Sequence, residues 1–350
     1  MKIRKQLSYL DQQYLSMNAF NDYPLVSICI PSFNNEKYLG EALNSLFVQT
    51  YTNIEIIVVD DGSEDDTEVT ANAVNDSRFK YYKQTNQGAA AARNRAFQLS
   101  SGKYIKFMDA DDLLSPKAIE VQVLRIMGND NCVASSKWGR FFDDDKNTFS
   151  LTTENVWKDL PGINWVVDSL IDHGSNMTQP GIFLIPRSLI EKVGLWDESL
   201  SLIDDFEFMT KIIVNCKYVL FSEDAVLMYR SGISNSLSRL NSKKHMESAF
   251  KALMSGVSEI LKIQNNARSR LACANTLQLW AYGFYPHHLD IYNKTQARID
   301  KLGGASINIK SGKSFIFLSK IFGWKNAVVL KIFLLKLFRK VDFNNFRFFK

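Results

Sequence analysis

Three carboxylates close the run Lys103-Tyr-Ile-Lys-Phe-Met-Asp-Ala-Asp-Asp112: Asp109, Asp111 and Asp112. Asp109 and Asp111 are two apart, so on an extended chain they face the same way. Two hard oxygen ligands on one side, with positions left open, suit Mg²⁺ or Mn²⁺ carrying a polyphosphate. Alone, an Asp-x-Asp reads equally well as a solvated acidic turn or as the N-cap of a following helix. A second acidic pair, Asp60-Asp61, also closes an apolar run, and Gly62-Ser63 beside it suits an Asx-turn. A third pair, Asp204-Asp205, stands before an apolar helical stretch, where the helix dipole favours acids. Other chemistries are poorly provided for. The four cysteines, Cys29, Cys132, Cys216 and Cys273, form no C-x-x-C pair and read as reduced core thiols of a cytosolic protein. The four histidines show no metalloprotease spacing.

These acids need a sheet edge to hold them. Tyr104, Ile105, Phe107 and Met108 supply the apolar content of a buried strand, and the acids begin where it stops. That carboxyl edge is where open α/β sheets bind ligands. Residues 26–31 read as a first strand ended by Pro31, and residues 54–60, nearly all β-branched, as a central second strand. Residues 78–83 read as a third. Between them, Leu39, Ala42, Leu43, Leu46 and Phe47 form one apolar helical stripe, a helix starts near Glu64, and residues 88–97 form a helix of small residues. Strands alternating with helices describe a parallel, doubly wound sheet. Farther on, the sequence predicts a helix with Ser115 as N-cap and Pro116 at its first position. It also predicts a strand over 132–136, a solvent-facing acidic turn at Asp143-Asp-Asp145, and a capping box, Ser188 to Glu191, opening a short helix that Gly194 closes. Residues 241–300 read as wholly helical.

The composition, 46% hydrophobic and 23% charged over 350 residues, is that of a folded globular protein. The net charge of +5 hides an asymmetry: residues 301–350 carry eleven Lys/Arg against one acid, Asp342. Such a split predicts a tail that meets an anionic partner. The N-terminus lacks the apolar core of a signal peptide, and no stretch approaches the roughly 18 uncharged apolar residues of a spanning helix. Residues 315–338 mix large apolar residues with Lys320, Lys325, Lys331 and Lys336, which suits a helix lying in the interface of an anionic leaflet; docking on the protein's own core is the alternative.

The ordered set Val26-Ser-Ile-Cys-Ile-Pro-Ser-Phe-Asn-Asn35, Leu46-Phe-Val-Gln-Thr50, Val58-Val-Asp-Asp-Gly-Ser-Glu-Asp-Asp-Thr67, Asn86-Gln-Gly-Ala-Ala-Ala-Ala-Arg-Asn94 and Asp109-Ala-Asp-Asp112 resembles family 2 glycosyltransferases. Gly194-Leu-Trp-Asp-Glu198 and Asp204-Asp205 extend the resemblance to about residue 210. The resemblance implies a GT-A fold, a mixed α/β sheet flanked by helices, and a nucleotide-sugar donor, a divalent metal (Mn²⁺ or Mg²⁺) and inversion at the anomeric carbon. It divides the chain into an N-terminal extension (1–23), a GT-A domain (24–240, with a nucleotide-binding half 24–115 and an acceptor half 116–240), a helical region (241–302) and a basic membrane-associating tail (303–350).

Roles follow for single residues. Asp61 is expected to accept the imide N–H of a uracil, a donor that cytosine lacks, with Pro31 and Phe33 walling the base and ribose. Asp111 is expected to be the direct metal ligand, with Asp109 nearer the ribose or the metal's waters. Arg93 binds phosphate, braces the aspartates, or makes a purely structural ion pair. Asp205 is expected to be the base that deprotonates the acceptor; Asp204 stands where the family usually has Glu. Tyr229-Arg230 and Ser236-Leu-Ser238 resemble a weaker pattern near the diphosphate. Trp138 and Trp196 are candidates for the acceptor site or the core. The Gln-x-x-Arg-Trp and spanning helices of processive members are missing, so one sugar per encounter is expected. The basic tail suggests a carbohydrate acceptor linked to lipid, as in assembly of bacterial surface polysaccharide, and a cytoplasmic protein peripheral on the inner face of the cell membrane; no nucleic acid is expected. A sugar-phosphate nucleotidyltransferase and a catalytically inactive carbohydrate-binding module are the alternatives.

Overall fold

The structure, a computed structural model, describes residues 23–142, 144–232, 242–309 and 312–337. The N-terminal extension up to residue 22, Asp143 and Ser236-Leu-Ser238 lie outside the described residues. Four parallel strands build the first sheet: β1 (Val26–Ser32), β2 (Ile54–Asp60), β3 (Phe79–Lys83) and β4 (Tyr104–Phe107), in the order β3-β2-β1-β4, with the short antiparallel β9 (Ile185–Pro186) beyond β4. Every residue of β1, β2 and β4 is buried, as expected of strands covered on both faces. The connecting helices are α1 (Leu39–Phe47), α2 (Thr67–Asn72) and α3 (Ala89–Leu99). In α3, Ala90, Ala91, Ala92 and Ala96 are buried, and their small side chains bring the helix close to the sheet.

A second sheet follows. It contains β5 (Leu113–Leu114), β6 (Cys132–Phe142), β7 (Asp145–Leu151) and β10 (Tyr218–Ser231), ordered β5-β10-β6-β7, with β8 (Leu160–Pro161) on β10. A single bridge between Ala134 and Leu184 links the two sheets' neighbourhoods. The chain is therefore a mixed α/β structure flanked by helices, as the sequence predicts.

Local departures have physical reasons. Helix α4 (Ala118–Ile126) starts three residues beyond Ser115, because the Ser115 hydroxyl accepts the Val226 N–H of β10 instead of capping a helix. Helix α6 (Arg187–Val193) starts one residue before Ser188, where the Arg187 N–H bonds the Lys103 carbonyl, and closes at Gly194 with φ +93°. The strand expected over 132–136 runs on to Phe142. Asp144, expected in a solvent-facing turn, instead ion-pairs with Lys37 and Arg230.

Past α5 (Gly162–Ile171) and α7 (Asp204–Asn215) come α8 (Lys243–Ile263), α9 (Ala267–Phe284) and α10 (Leu289–Leu302). Ser242 and Asn266 cap α8 and α9 through their side chains, which breaks the expected helical region into separate helices. Their buried faces share one apolar core with the first sheet. Gly256 of α8 lies against the Phe206 ring, where an added Cβ would come within 2.5 Å.

The tail forms two helices, not one. Gly323, with φ +75°, separates α11 (Lys313–Phe322) from α12 (Trp324–Leu337). Phe315, Ala327 and Val328 are buried in a small core of their own. The Trp324 ring meets Tyr282, Tyr285 and Tyr292 at centroid distances of 5.0, 5.2 and 6.2 Å. Ile316, Phe317, Ile321, Phe322, Val329 and Phe333 remain exposed. The tail is thus anchored on the protein along one side and bare on the other.

Candidate active site

Just beyond β4 the chain turns through Asp109, Asp111 and Asp112, which differ sharply in surroundings. Asp109 accepts from Arg93 (Nη2 to Oδ1, 2.9 Å) and faces the Gln179 amide (Nε2 to Oδ2, 3.4 Å). Asp112 is fully buried; its Oδ2 accepts from Gln179 Nε2 at 2.6 Å and its Oδ1 from the Arg230 N–H at 3.0 Å. Both therefore have protein donors on both oxygens. Among the described residues no side chain of another residue donates to the Asp111 carboxylate. Burial, then the charge of Asp109, pushes the Asp111 carboxyl up to about 7. Burial, then the charges of Asp111 and Asp109, pushes the Asp112 carboxyl well up too, so the cluster as a whole is short of positive charge.

Strand β2 delivers the second pair. Asp60 closes its own turn: Oδ1 accepts the Ser63 N–H at 2.8 Å, and the Tyr81 hydroxyl donates to Oδ2. Asp61 is also buried, but its carboxylate reaches out to the loop before α3. It accepts from Gln84 Nε2 (2.7 Å), the Gln87 N–H (2.9 Å) and the Gly88 N–H (2.7 Å). Three donors leave room for one more on a carboxylate with about four lone-pair positions. The Asp61 N–H bonds the Ser32 carbonyl at 2.8 Å, so the end of β1 lies beside it. There Pro31 is buried within the strand, while Phe33 is 47% exposed at the mouth of the turn.

Arg93 joins the acids. Its Nη2 bonds Asp109 and its Nη1 bonds Asp204 Oδ2, each at 2.9 Å, while its face lies 4.5 Å from the centroid of the Trp196 ring. Both terminal nitrogens are thus engaged by carboxylates. Trp196 is core: it stacks on Phe208 with centroids 4.1 Å apart. Asn94 next to Arg93 donates to the Trp196 carbonyl and to Glu198, fastening α3 to the segment before α7. Asp204 and Asp205 open α7 itself, preceded by Ile203 at φ +52°. A β-branched residue in the left-handed region is a genuine outlier. Burial, then the charge of Asp204, raises the Asp205 carboxyl to about 6, against the opposing pull of the Phe206 N–H and Arg93. Asp205 therefore stays mostly ionised at neutral pH while able to hold a proton.

The sequence profile of glycosyl transferase family 2 matches residues 27–194, from β1 to the end of α6. Just under half of the chain is thus similar to a family 2 glycosyltransferase domain. An uncharacterised glycosyltransferase of Rickettsia typhi is 36% identical over 195 residues, covering 54% of this chain and 59% of that protein. Glycosyltransferase GlyG of Streptococcus pneumoniae is 28% identical over 220 residues, 59% of this chain and 70% of its own. The chain spans little more than half the length of the Rickettsia typhi relative. Among solved structures, S. aureus TarS 1–349 in complex with UDP-GlcNAc superposes with a TM-score of 0.63 over 79% of this chain and 81% of that one, at 19% identity. At that identity the likeness shows the fold, which is GT-A.

The site also enlists Gln179, which no sequence motif signals. Gln179 lies in the irregular stretch Asn176-Met-Thr-Gln-Pro180, without periodicity or spacing to mark it. Arg230 is signalled in the sequence by the weaker Tyr229-Arg230 pattern, but its partners are not. In the fold it bonds the Asp111 carbonyl (Nε, 2.8 Å), Asp144 and Glu41, and lies between the Tyr38 and Phe141 rings at 4.7 and 4.6 Å. The arrangement predicts a measurable titration. The Asp205 carboxyl carbon, followed by ¹³C NMR, should titrate near pH 6. In Asp204→Asn the midpoint should fall, because the neighbouring negative charge is gone. A wild-type midpoint near 4 would mean that the carboxylate is well solvated.

Proposed function

We propose that this chain transfers one sugar per encounter, with inversion, from a UDP-sugar to a carbohydrate acceptor, in the manner of a hexosyltransferase. The observation that carries the proposal is the Arg93 bridge, which ties the Asp109–Asp111 edge of the sheet to the Asp204–Asp205 helix start. A donor-side acid cluster and an acceptor-side base are thereby held in one assembly. Asp61 gives its remaining lone pair to the imide N–H of uracil, and exposed Phe33, with Pro31 behind it, forms the wall against base and ribose. That TarS was crystallised with UDP-GlcNAc and with UDP supports a uridine donor for this fold.

The residues at the turn fit a divalent cation, because Asp111 is half-buried, crowded by Asp109 and, among the described residues, receives no hydrogen bond from another residue's side chain. Mn²⁺ or Mg²⁺ would be held by Asp111 directly, with Asp109 toward its waters, and would offset the charge of the departing diphosphate. Arg93 keeps Asp109 and Asp204 apart yet fixed. Asp205 takes the proton from the acceptor hydroxyl as the new bond forms on the face opposite the leaving group. We assign the donor site to residues 24–115 and the acceptor site to 116–240.

The tail supports a peripheral role. No helix among the described residues is long and apolar enough to cross a membrane. Instead, α11 and α12 present Phe317, Ile321, Phe322 and Phe333 outward beside exposed Lys320 and Lys325. Apolar rings flanked by lysines suit the interface of an anionic bilayer. A tail lying there would put the site at the inner face of the cell membrane, within reach of a lipid-linked acceptor.

A screen of nucleotide sugars for UDP release, with and without Mn²⁺, tests the reaction. Activity should require the metal and vanish in Asp111→Asn; full turnover in excess EDTA would sink the metal. In Asp205→Asn, kcat should fall about 10²-fold or more, the scale of a lost general base, with UDP affinity unchanged. The wild-type kcat/KM should rise with pH through about 6, as Asp205 ionises. Near-normal transfer by Asp205→Asn would move the base elsewhere. Removing residues 303–350 should release the protein from vesicles containing phosphatidylserine while UDP binding persists. Unchanged partitioning would mean that the tail serves only the fold.

A further inference from the structure

We propose that Gln179 is a positioning residue that sets the site's affinity for its divalent cation. The inference rests on the metal reading of Asp111 given above. Gln179 is buried, and its amide nitrogen spans two carboxylates, at 2.6 Å from Asp112 Oδ2 and 3.4 Å from Asp109 Oδ2. One side chain thus fixes the spacing of the acids on either side of Asp111. The backbone behind it is equally fixed. Pro180–Ile182 form a 3₁₀ turn whose Ile182 carbonyl accepts from Gln122 Nε2 at 2.8 Å. The Phe183 carbonyl accepts from the fully buried Lys106 at 3.2 Å, and Lys106 also bonds Gln122 at 2.9 Å.

Charge explains why an amide suits this position. The obvious partner for three crowded carboxylates is a lysine or arginine, but a cation here would neutralise the cluster and compete with a metal. A glutamine supplies donors without supplying charge, so the acids are held in place while the attraction for a divalent cation is kept. Its other end shows an asymmetry. Gln179 Oε1 is buried, has no hydrogen-bond partner among the described residues and lies over Gly181, where an added Cβ would come within 2.8 Å of it. The two ends of the amide are therefore not equivalent. The bonded end is the one that faces the acids. The absence of a side chain at Gly181 leaves the space in which the amide takes that orientation.

The test uses the full chain with UDP, without acceptor, and reads free Mn²⁺ by electron paramagnetic resonance during a titration. Gln179→Met keeps the reach but loses the donors, and its Mn²⁺ dissociation constant should rise about 10-fold or more, the usual scale for residues that orient a metal ligand. Gln179→Lys should weaken Mn²⁺ further. Gly181→Ala meets only the end of a flexible side chain and Leu227, so it should fold, displace the amide and weaken Mn²⁺ in the same direction. In turnover, saturating Mn²⁺ should restore the kcat of Gln179→Met but not of Gln179→Lys. Variants that lose kcat or thermal stability with unchanged Mn²⁺ affinity would overturn the proposal and leave Gln179 a packing residue. A wild-type protein that binds no Mn²⁺ in the presence of UDP would instead overturn the metal reading on which the proposal stands.

Discussion

A guanidinium sealed between two carboxylates organises this molecule. Arg93 is buried, and its partners come from opposite ends of the structure: Asp109 from the edge of the first sheet and Asp204 from the start of a helix more than ninety residues later. Removing one member of such a trio leaves an uncompensated buried charge, which typically costs about 3–5 kcal/mol. The surrounding architecture follows from that constraint. The alanines of α3 let the helix approach the sheet closely enough for Arg93 to reach Asp109. Trp196 supplies the face on which the guanidinium lies, and Asn94 fixes the Trp196 backbone. Phe206, packed against Gly256, holds the start of α7 from its far side.

A second constraint is the imbalance of charge at the β4 turn. Asp109, Asp111 and Asp112 stand close together against Arg93 and the backbone of Arg230, whose own guanidinium is taken up by Glu41 and Asp144. Among the described residues, side-chain and backbone donors reach Asp109 and Asp112, and no other residue's side chain donates to Asp111. The arrangement of the acids and the stability of the fold are thus not separable here. Arg230, on β10 of the second sheet, donates its N–H to Asp112 at the edge of the first.

Much of this was legible in the sequence, and the rest was not for identifiable reasons. β2 runs over the predicted residues because an unbroken β-branched run bounded by polar residues has one sensible reading. The acids at the ends of β2 and β4 were visible for the same cause: apolar content stops and carboxylates begin. Helix starts were misread where a side chain had a better offer. The Ser115 hydroxyl looks like a cap, but the β10 backbone, distant in sequence, takes it. Asp144 looks solvated in a run of acids, yet Lys37 and Arg230 are brought to it by folding. Gln179 has no local signature at all, since its partners lie some seventy residues upstream. The tail reads as one amphipathic helix because a single glycine in an apolar run does not announce whether it bends or ends a helix; Gly323 ends it.

Ile203 carries a consequence for any effort to harden this protein. An isoleucine held at φ +52° costs on the order of 1–3 kcal/mol relative to a residue at ease there. Selection for thermal tolerance would therefore favour glycine or asparagine at this position. Yet the strained residue stands immediately before Asp204 and Asp205 and sets the angle at which both leave the backbone. Relief would come with a looser hinge under the two acids. The most accessible stabilising change in this part of the chain is thus one that trades heat resistance against the fixed placement of two acids.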